Sequence, residues 1–413
     1  MLNPIQNFEI GWFGSIPKEW SVSKIGAMYE LRTTKVSDKD YPPLSVTMKG
    51  IVPQLDFVAK TNSHDDRKLV KKGDFAINSR SDRRGSCGIS DYNGSVSLIN
   101  TVLKPRDEMN PKYYNWLFHT VQFADEFYKW GHGIVDDLWT TNWKDMKRID
   151  IPVPPLCEQK NIATFLDIKC NEIDSLMGEI QEQIITLKEY KKSIISEAVT
   201  KGLNPNTELK ESGIEWIGKI PKHWECKKVK YACEVRNEKY TIAHGALDYF
   251  ALENLVSWEM KYISTENEYD INGSNLCYKG DVVFGKLRPY LAKTFLVDYD
   301  RCCSSEFAVF HNFQGIASYY LYVFTTPGFV KIVDDSTAGV KMPRANIEFI
   351  KNVYIPVAPF NEQQQIADYL YSKCSEIDAI IQTKKEQIDT LTEYKKSFIY
   401  EYVTGKKEVP VNE

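Results

Sequence analysis

A long internal repeat constrains this chain more than any other feature. Read with a constant shift of 204, Ile151–Thr200 and Ile355–Thr404 share 28 identities in 50 aligned positions without a gap. At the same shift, "GSIPKEW" (Gly14–Trp20) returns as "GKIPKHW" (Gly218–Trp224). Agreement on this scale is duplication, and a duplication decides architecture before any local reading does. Between the repeated pieces lie two segments of nearly equal length, Ser21–Arg148 and Glu225–Lys351. They share little beyond isolated points such as Gly73–Asp74 against Gly280–Asp281. The chain therefore runs variable, repeated, variable, repeated. The repeated parts do one mechanical job twice, and the divergent parts meet different things.

The repeated piece reads as a helix of some 40 residues, about 60 Å long at 1.5 Å per residue. Prolines stand before it (Pro154, Pro155, Pro359), Glu158 and Glu362 fall in its first turn, and Gly202 and Gly405 close the two copies, as helix termini favour. Apolar residues recur at Ile162, Leu166, Ile173, Leu176, Ile180, Ile184, Leu187, Tyr190 and Ile194. In the second copy they stand at Ile366, Leu370, Ile377, Ile380, Ile388, Leu391, Tyr394 and Phe398. A rod with such a stripe needs a partner, and the other copy is the best one available. Packing of each helix on its own globular domain is the alternative, and polar stripe positions such as Lys384 leave room for a further partner. Trp20 and Trp224 read as buried anchors fixing each variable segment against the helices.

The variable segments read as mixed α/β. "GDFAINS" (Gly73–Ser79) and "GDVVFGK" (Gly280–Lys286) look like strands opened by a tight Gly-Asp turn. Pro111–Trp130 predicts a helix capped by Asn110, with Ser318–Asp335 as its counterpart. Basic residues gather after both Gly-Asp strands: Arg80, Arg83 and Arg84 in the first, Lys286, Arg288 and Lys293, with Tyr290, in the second. A guanidinium fork suits guanine edges and phosphates. A further polar stretch precedes each repeated helix, with Lys341, Arg344 and Asn346 in the second copy and Asn142 aligned to Asn346. Any one of these alone would be a solvated loop; two comparable clusters at comparable places argue for a shared role. Asp82, Asp136 and Asp137 are awkward on a phosphate-facing surface.

Composition is neutral on function. Net charge is −4, but binding depends on where cations gather. Nine cysteines without a CxxC pair argue for reduced thiols in a cytoplasmic protein, with Cys302–Cys303 as buried strand packing. Cysteine and histidine never cluster at zinc-ligand spacing. No apolar run approaches the roughly 20 residues of a membrane helix, and the N-terminus lacks a signal pattern. "NPKYY" (Asn110–Tyr114) faintly resembles a methyltransferase loop but is better read as a helix cap. No phosphate loop, cofactor-binding glycine motif, nuclease carboxylate set or nucleophilic triad is legible. Two other classes stay open: a single-chain methyltransferase or nuclease with an unseen site, and a coiled-coil scaffold that binds protein only.

"SGIEWIGKIPKHW" (Ser212–Trp224), "IPVPPLCEQKNIATFLD" (Ile151–Asp167) and "GKLRPY" (Gly285–Tyr290), in this order of variable and repeated parts, make the whole chain resemble the DNA-specificity subunit of type I restriction–modification systems. The resemblance implies an α+β fold: two globular mixed α/β target recognition domains separated by two long conserved helices packed as an antiparallel coiled coil, with pseudo-two-fold symmetry. The expected divisions are 1–148 and 206–352 for the recognition domains, and 149–205 and 353–413 for the helices. Each domain would read half of a split site on double-stranded DNA. The helices would space the domains and dock two methyltransferase subunits, which restriction and translocase subunits join. The chain itself would be non-catalytic and hold no cofactor; S-adenosylmethionine, ATP and magnesium would belong to the partners. "NSRSDRRG" (Asn78–Gly85) departs from the "GKLRPY" form expected after the first Gly-Asp strand.

Overall fold

The computed structural model describes residues 11–54, 65–80, 83–133, 139–241, 244, 247–265, 271–337 and 342–410. Its contacts fall into two compact units, Met1–Ile180 with Glu386–Glu413, and Gln181–Lys385. The first unit is split in sequence and the second is continuous, and each takes part of both long helices. These are the central helix, Leu156–Lys201, of 46 residues, and the C-terminal helix, Phe360–Val403, of 44.

In the first unit, Ser21–Lys24 pairs antiparallel with Asp150–Val153, closing the variable segment on itself. Within it a four-stranded antiparallel sheet runs in the order Tyr29–Leu31, Asn100–Pro105, Phe75–Asn78, Cys87–Ile89. Smaller pairings flank this sheet, among them Arg67–Val70 with Gly94–Val96. The expected helix after Asn110 is two helices, Pro111–Phe118 and Val121–Lys129. Asn110 does cap the first, accepting from the Lys112 N–H. The break comes at Thr120, whose hydroxyl accepts from the Phe123 N–H and so starts a second helix. Tyr29, Phe75, Tyr113, Tyr114, Phe118 and Phe123 form an aromatic core that continues into Ile162 and Leu166 of the central helix and Phe398 and Tyr402 of the C-terminal helix. The helices run antiparallel here. Asp174 pairs with Lys395 at 2.6 Å, Thr392 donates to the Met177 sulfur, and Phe165 packs on Phe398 and Tyr402.

In the second unit Glu225–Lys228 pairs with Tyr354–Val357. The four-stranded sheet runs Glu234–Val235, Phe307–His311, Val282–Gly285, Thr294–Leu296. A second sheet sets Tyr249–Phe250 parallel, and Asn275–Cys277 antiparallel, to Arg301–Cys303, which buries Cys302 and Cys303 as strand packing. Again the expected helix is two, Ala317–Thr325 and Pro327–Asp335. Pro327 cannot continue the ladder, and the Thr326 hydroxyl caps Phe329. Lys191 pairs with Asp378 at 2.7 Å and Lys384 donates to Gln183, so the helices run antiparallel here too. Asp378 and Lys191 are the repeat images of Asp174 and Lys395. One pair of sequence positions thus provides the helix–helix ion pair in both units.

The seam is narrower than the apolar stripe. Ile162, Leu166, Ile180, Ile184 and Ile194 are buried, whereas Leu176, Tyr190, Ile380 and Tyr394 are exposed. Buried places go instead to small residues such as Cys170 and Cys374, which allow close helix approach.

Candidate nucleic-acid interface

The repeated heptapeptide is an anchor in both units. Trp20 is buried and its indole N–H donates to Glu158 Oε2 at 2.9 Å; Trp224 is buried and donates to Glu362 Oε2 at 3.0 Å. The carboxylates expected to suit the helix dipole thus also receive the anchor. Burial pushes the Glu158 carboxyl up, against the Trp20 hydrogen bond and with Glu19 and Glu408 adding to the rise. At the far end of each helix a tyrosine hydroxyl satisfies a last-turn carbonyl: Tyr113 on Val403 and Tyr319 on Val199.

The Gly-Asp turns aim the basic loops. Gly73 and Gly280 have φ of 89° and 93°, a conformation that favours glycine. Asp74 accepts from the Lys71 N–H and from both Nε and Nη2 of Arg32. Asp281 accepts from the Tyr278 N–H and, in the same two-pronged way, from Arg236. Arg32 and Arg236 are repeat images that sequence reasoning missed; an identical arginine at the 204 shift inside otherwise divergent segments was the available signal. Their hydrogen bonds fix the start of the strand whose far end delivers the cations.

In the first unit the basic loop and the polar stretch that precedes the central helix are adjacent. Arg80 bridges Thr140, and the Thr141 N–H donates to the Ser79 carbonyl at 2.9 Å. Arg80, Arg83 and Arg84 are exposed. Arg84 lies 3.9 Å over the Tyr128 ring and pairs with Asp125 at 2.9 Å; Arg80, Arg84, Tyr128 and Trp139 line one shallow pocket. Asn142 is an N-cap, accepting from the Lys144 N–H. Asp82, Asp136 and Asp137 lie outside the described residues.

The second unit zips the same two stretches together. The Lys286 carbonyl accepts from the Ala345 N–H at 2.9 Å, and the Arg288 N–H donates to the Pro343 carbonyl at 2.8 Å. Arg288, Tyr290 and Arg344 are exposed, with Arg344 paired to Glu306. Lys286 is half-buried; burial lowers its pKa, and the nearby cations Arg344 and Lys239 push the same way. Lys239 is a further member that the sequence reading missed, held by Asn275 at 2.6 Å. Lys293 turns inward, donating to the Leu252 carbonyl at 2.7 Å, and burial lowers its pKa. Asn346 caps the helix Ile347–Asn352 through the Glu348 N–H, as its image Asn142 does in the first unit. That shared capping role accounts for their alignment. Lys341 lies outside the described residues.

A family model for the type I restriction modification DNA specificity domain matches residues 17–185 and 221–390, twice over in the two halves of the chain. The chain belongs to this family. The MjaVIII type I restriction enzyme specificity subunit of Methanocaldococcus jannaschii is 25% identical over 423 residues, covering 95% of this chain and 94% of that one. The EcoDI specificity subunit of Escherichia coli is 19% identical, covering 92% and 87%. Among solved structures, a chain from work on complex assembly and conformational transition of the type I R-M system superposes with a TM-score of 0.71 at 13% identity, covering 95% and 99%. The HsdS subunit from Thermoanaerobacter tengcongensis gives 0.51 at 14%, covering 95% and 98%. The protein is thus a DNA specificity subunit, a non-catalytic component of a restriction–modification system. Among the described residues, no cluster of three or more His, Cys, Asp or Glu side chains could hold a metal, and no helix is long and apolar enough to cross a membrane.

Proposed function

We propose that this specificity subunit reads an asymmetric, bipartite site on double-stranded DNA in the cytoplasm. One half-site falls to the loops around Arg80–Arg84 and the other to those around Lys286–Arg288 and Arg344. One observation carries the reading: the scaffold contacts of the two units are repeat images, while the exposed cationic loops they hold differ. Identical supports with different tips suit a split target with unlike halves.

The helices set the separation and receive the catalytic partners. At 1.5 Å per residue they are about 69 and 66 Å long, in the range that spans half-sites one or two DNA turns of roughly 35 Å apart. Three repeat-related apolar pairs stay exposed on them: Leu156 and Phe360 at 42% and 61%, and, to similar degrees, Leu176 and Ile380 at 45% and 47% and Tyr190 and Tyr394 at 55% and 52%. Apolar side chains left exposed at the same positions of both helices suit two copies of one partner. The methyltransferase subunits are that partner, and restriction and translocase subunits join them. S-adenosylmethionine, ATP and magnesium belong to those subunits.

The test is genome-wide mapping of methylated sites in a host that carries this chain with its methyltransferase. The expected result is two unlike half-sites at one fixed spacing. A continuous palindromic site, or methylation indifferent to this chain, would overturn the reading. Deleting one turn from both helices should shift the spacing, and an unchanged spacing would remove the ruler role.

A further inference from the structure

The second unit contains a strap that the reading above does not use. Five non-glycine residues among those described have a left-handed backbone: Trp258, Met260, Arg288, Ala292 and Asn312, with φ between 44° and 64°. This conformation is disfavoured for any residue with a β-carbon and persists where surrounding contacts hold it, often at functional sites. Four of the five lie in two loops. Arg288 and Ala292 bracket the turn of the basic loop, and Trp258 and Met260 lie in the loop Asn254–Ile263. The two loops are bonded to each other. The Trp258 indole N–H donates to the Tyr290 carbonyl at 3.1 Å, and Lys293 reaches back to the Leu252 carbonyl.

The same loop is also fastened to the helices. The Lys192 ammonium of the central helix sits 4.5 Å from the centre of the Trp258 ring. Lys261 pairs with Asp378 of the C-terminal helix at 3.0 Å, on the carboxylate oxygen not taken by Lys191. Cavities of about 570 and 460 Å³ flank the strap, and Glu259 and Lys261 line both. Close packing does not hold its tip in place; these few directed contacts do. Its base is braced by the buried Asn254 side chain, which accepts from the Ala251 N–H and donates to the Ile263 carbonyl and the Thr265 hydroxyl.

We propose that Trp258 is a positioning residue for DNA recognition, tying the basic loop Lys286–Lys293 to the central helix so that the loop's position is set by the ruler. It touches no base itself. Its indole N–H holds the backbone of the turn that presents Arg288 and Tyr290, and its ring face is held by Lys192. The proposal rests on the reading of that loop as a DNA-contacting element.

The test uses the full chain assembled with its methyltransferase subunits, binding the duplex identified by methylation mapping. Further duplexes carry a mismatch in one half-site or the other, or a spacer one base pair longer or shorter. Trp258→Phe keeps a smaller aromatic face and loses the N–H. It should cut discrimination against mismatches in the second unit's half-site about tenfold, the worth of one hydrogen bond, and leave the other half-site unchanged. Lys192→Met keeps the stem and loses the charge. It should relax the spacer preference, and Lys192→Arg should restore it. Lys192 lies on the helix surface, so its variants keep the test sound if Trp258→Phe fails to fold. Folded variants with unchanged discrimination and spacing would overturn the proposal, as would equal loss at both half-sites. If the unaltered complex prefers no sequence at all, the DNA reading fails first and takes the proposal with it.

Discussion

The repeat supplies an experiment in which one substitution is made twice in related surroundings. Asp174 and Asp378 occupy the same repeat position and pair with Lys395 and Lys191, which are also repeat images. Burial differs sharply. The Lys191 side chain is 6% exposed and Asp378 19%, whereas Lys395 is 22% exposed and Asp174 50%. Asp378→Ala strands a buried ammonium, for which breaking a buried pair costs about 3–5 kcal/mol. Asp174→Ala leaves Lys395 able to reach water, so the cost is that of a surface pair, about 1 kcal/mol or less.

For a folding unit of about 200 residues, each kcal/mol moves the melting temperature by roughly 2–4 °C. Asp378→Ala should therefore lower the unfolding transition of its unit by about 6–20 °C, and Asp174→Ala by at most about 4 °C. Far-UV circular dichroism melts of the full chain would measure this. Repeating them in 0.5 M salt should shrink the smaller effect and spare the larger, because screening acts on exposed charges. Lys191→Met should cost less than Asp378→Ala, since Asp378 keeps Lys261. Removing both charges in Lys191→Met/Asp378→Leu should recover much of the loss. Equal shifts at the two aspartates would refute the assignment of the difference to burial.

Three further outcomes are expected. Gly405 and Gly202 end the two helices with φ of 68° and 77°, but a β-carbon at Gly405 would lie 2.4 Å from Pro17 Cδ, against 3.3 Å from Trp224 Cζ2 at Gly202; Gly405→Ala should cost well over the roughly 1 kcal/mol of a left-handed alanine, and Gly202→Ala near that value, by thermal melts. Arg288→Gly removes the side chain without opposing the left-handed backbone, so it should weaken only one half-site in competition binding, with an intact melting temperature; equal weakening on every sequence would mark a phosphate contact instead. Burial raises the Glu158 carboxyl in the folded chain, so its stabilising contribution is present below the unfolded pKa and fades as pH rises through the higher folded one; Glu158→Gln should flatten that decline in the melting profile on the alkaline side of the ordinary carboxylate range.

Much of the scaffold was legible because it rests on periodic or local rules. The helices, their closing glycines, the Gly-Asp strands and the Asn110 cap follow from spacing and backbone chemistry within a few residues. The breaks at Thr120 and Thr326 were not, since a threonine between two apolar runs serves equally well inside a helix or as a cap. Leu176 and Tyr190 fit the apolar stripe, yet the narrow seam leaves them outside, a fact of tertiary packing. The site was legible as a place more than as a set of groups. Arg288 and Arg344 are exposed in loops whose adjacency the sequence did not show, and Lys293 resembles a surface lysine in sequence but spends its ammonium on Leu252. Asn142 and Asn346 each use the side-chain oxygen to cap a short helix, a role the sequence reading did not assign to them. Trp258 carried no signal, because its neighbours Lys192 and Tyr290 come from distant parts of the chain.

The contacts that join repeated to variable sequence have a common chemistry, and it bears on why the variable parts can differ. The Gln159 side chain is buried, accepts from the Asn110 N–H and donates to the Pro154 carbonyl. Its image Gln363 accepts from the Ile316 N–H and donates to the Ala358 carbonyl. Trp12 and Trp216 donate to the carbonyls of Asp150 and Tyr354. Residues 110 and 316 are Asn and Ile, and 150 and 354 are Asp and Tyr, yet the bonds are the same, because each uses a main-chain carbonyl, which every residue carries, or a main-chain N–H, which only proline lacks. A scaffold that grips backbone places little demand on side chains and leaves loop sequence free to follow the DNA. Where it presses hardest, the demand returns: a β-carbon on Gly315 would stand 2.1 Å from the Gln363 amide oxygen. Gly315→Ala should therefore weaken the second unit, while polar substitutions at the exposed Arg288 or Tyr290 should leave its stability near that of the unaltered chain.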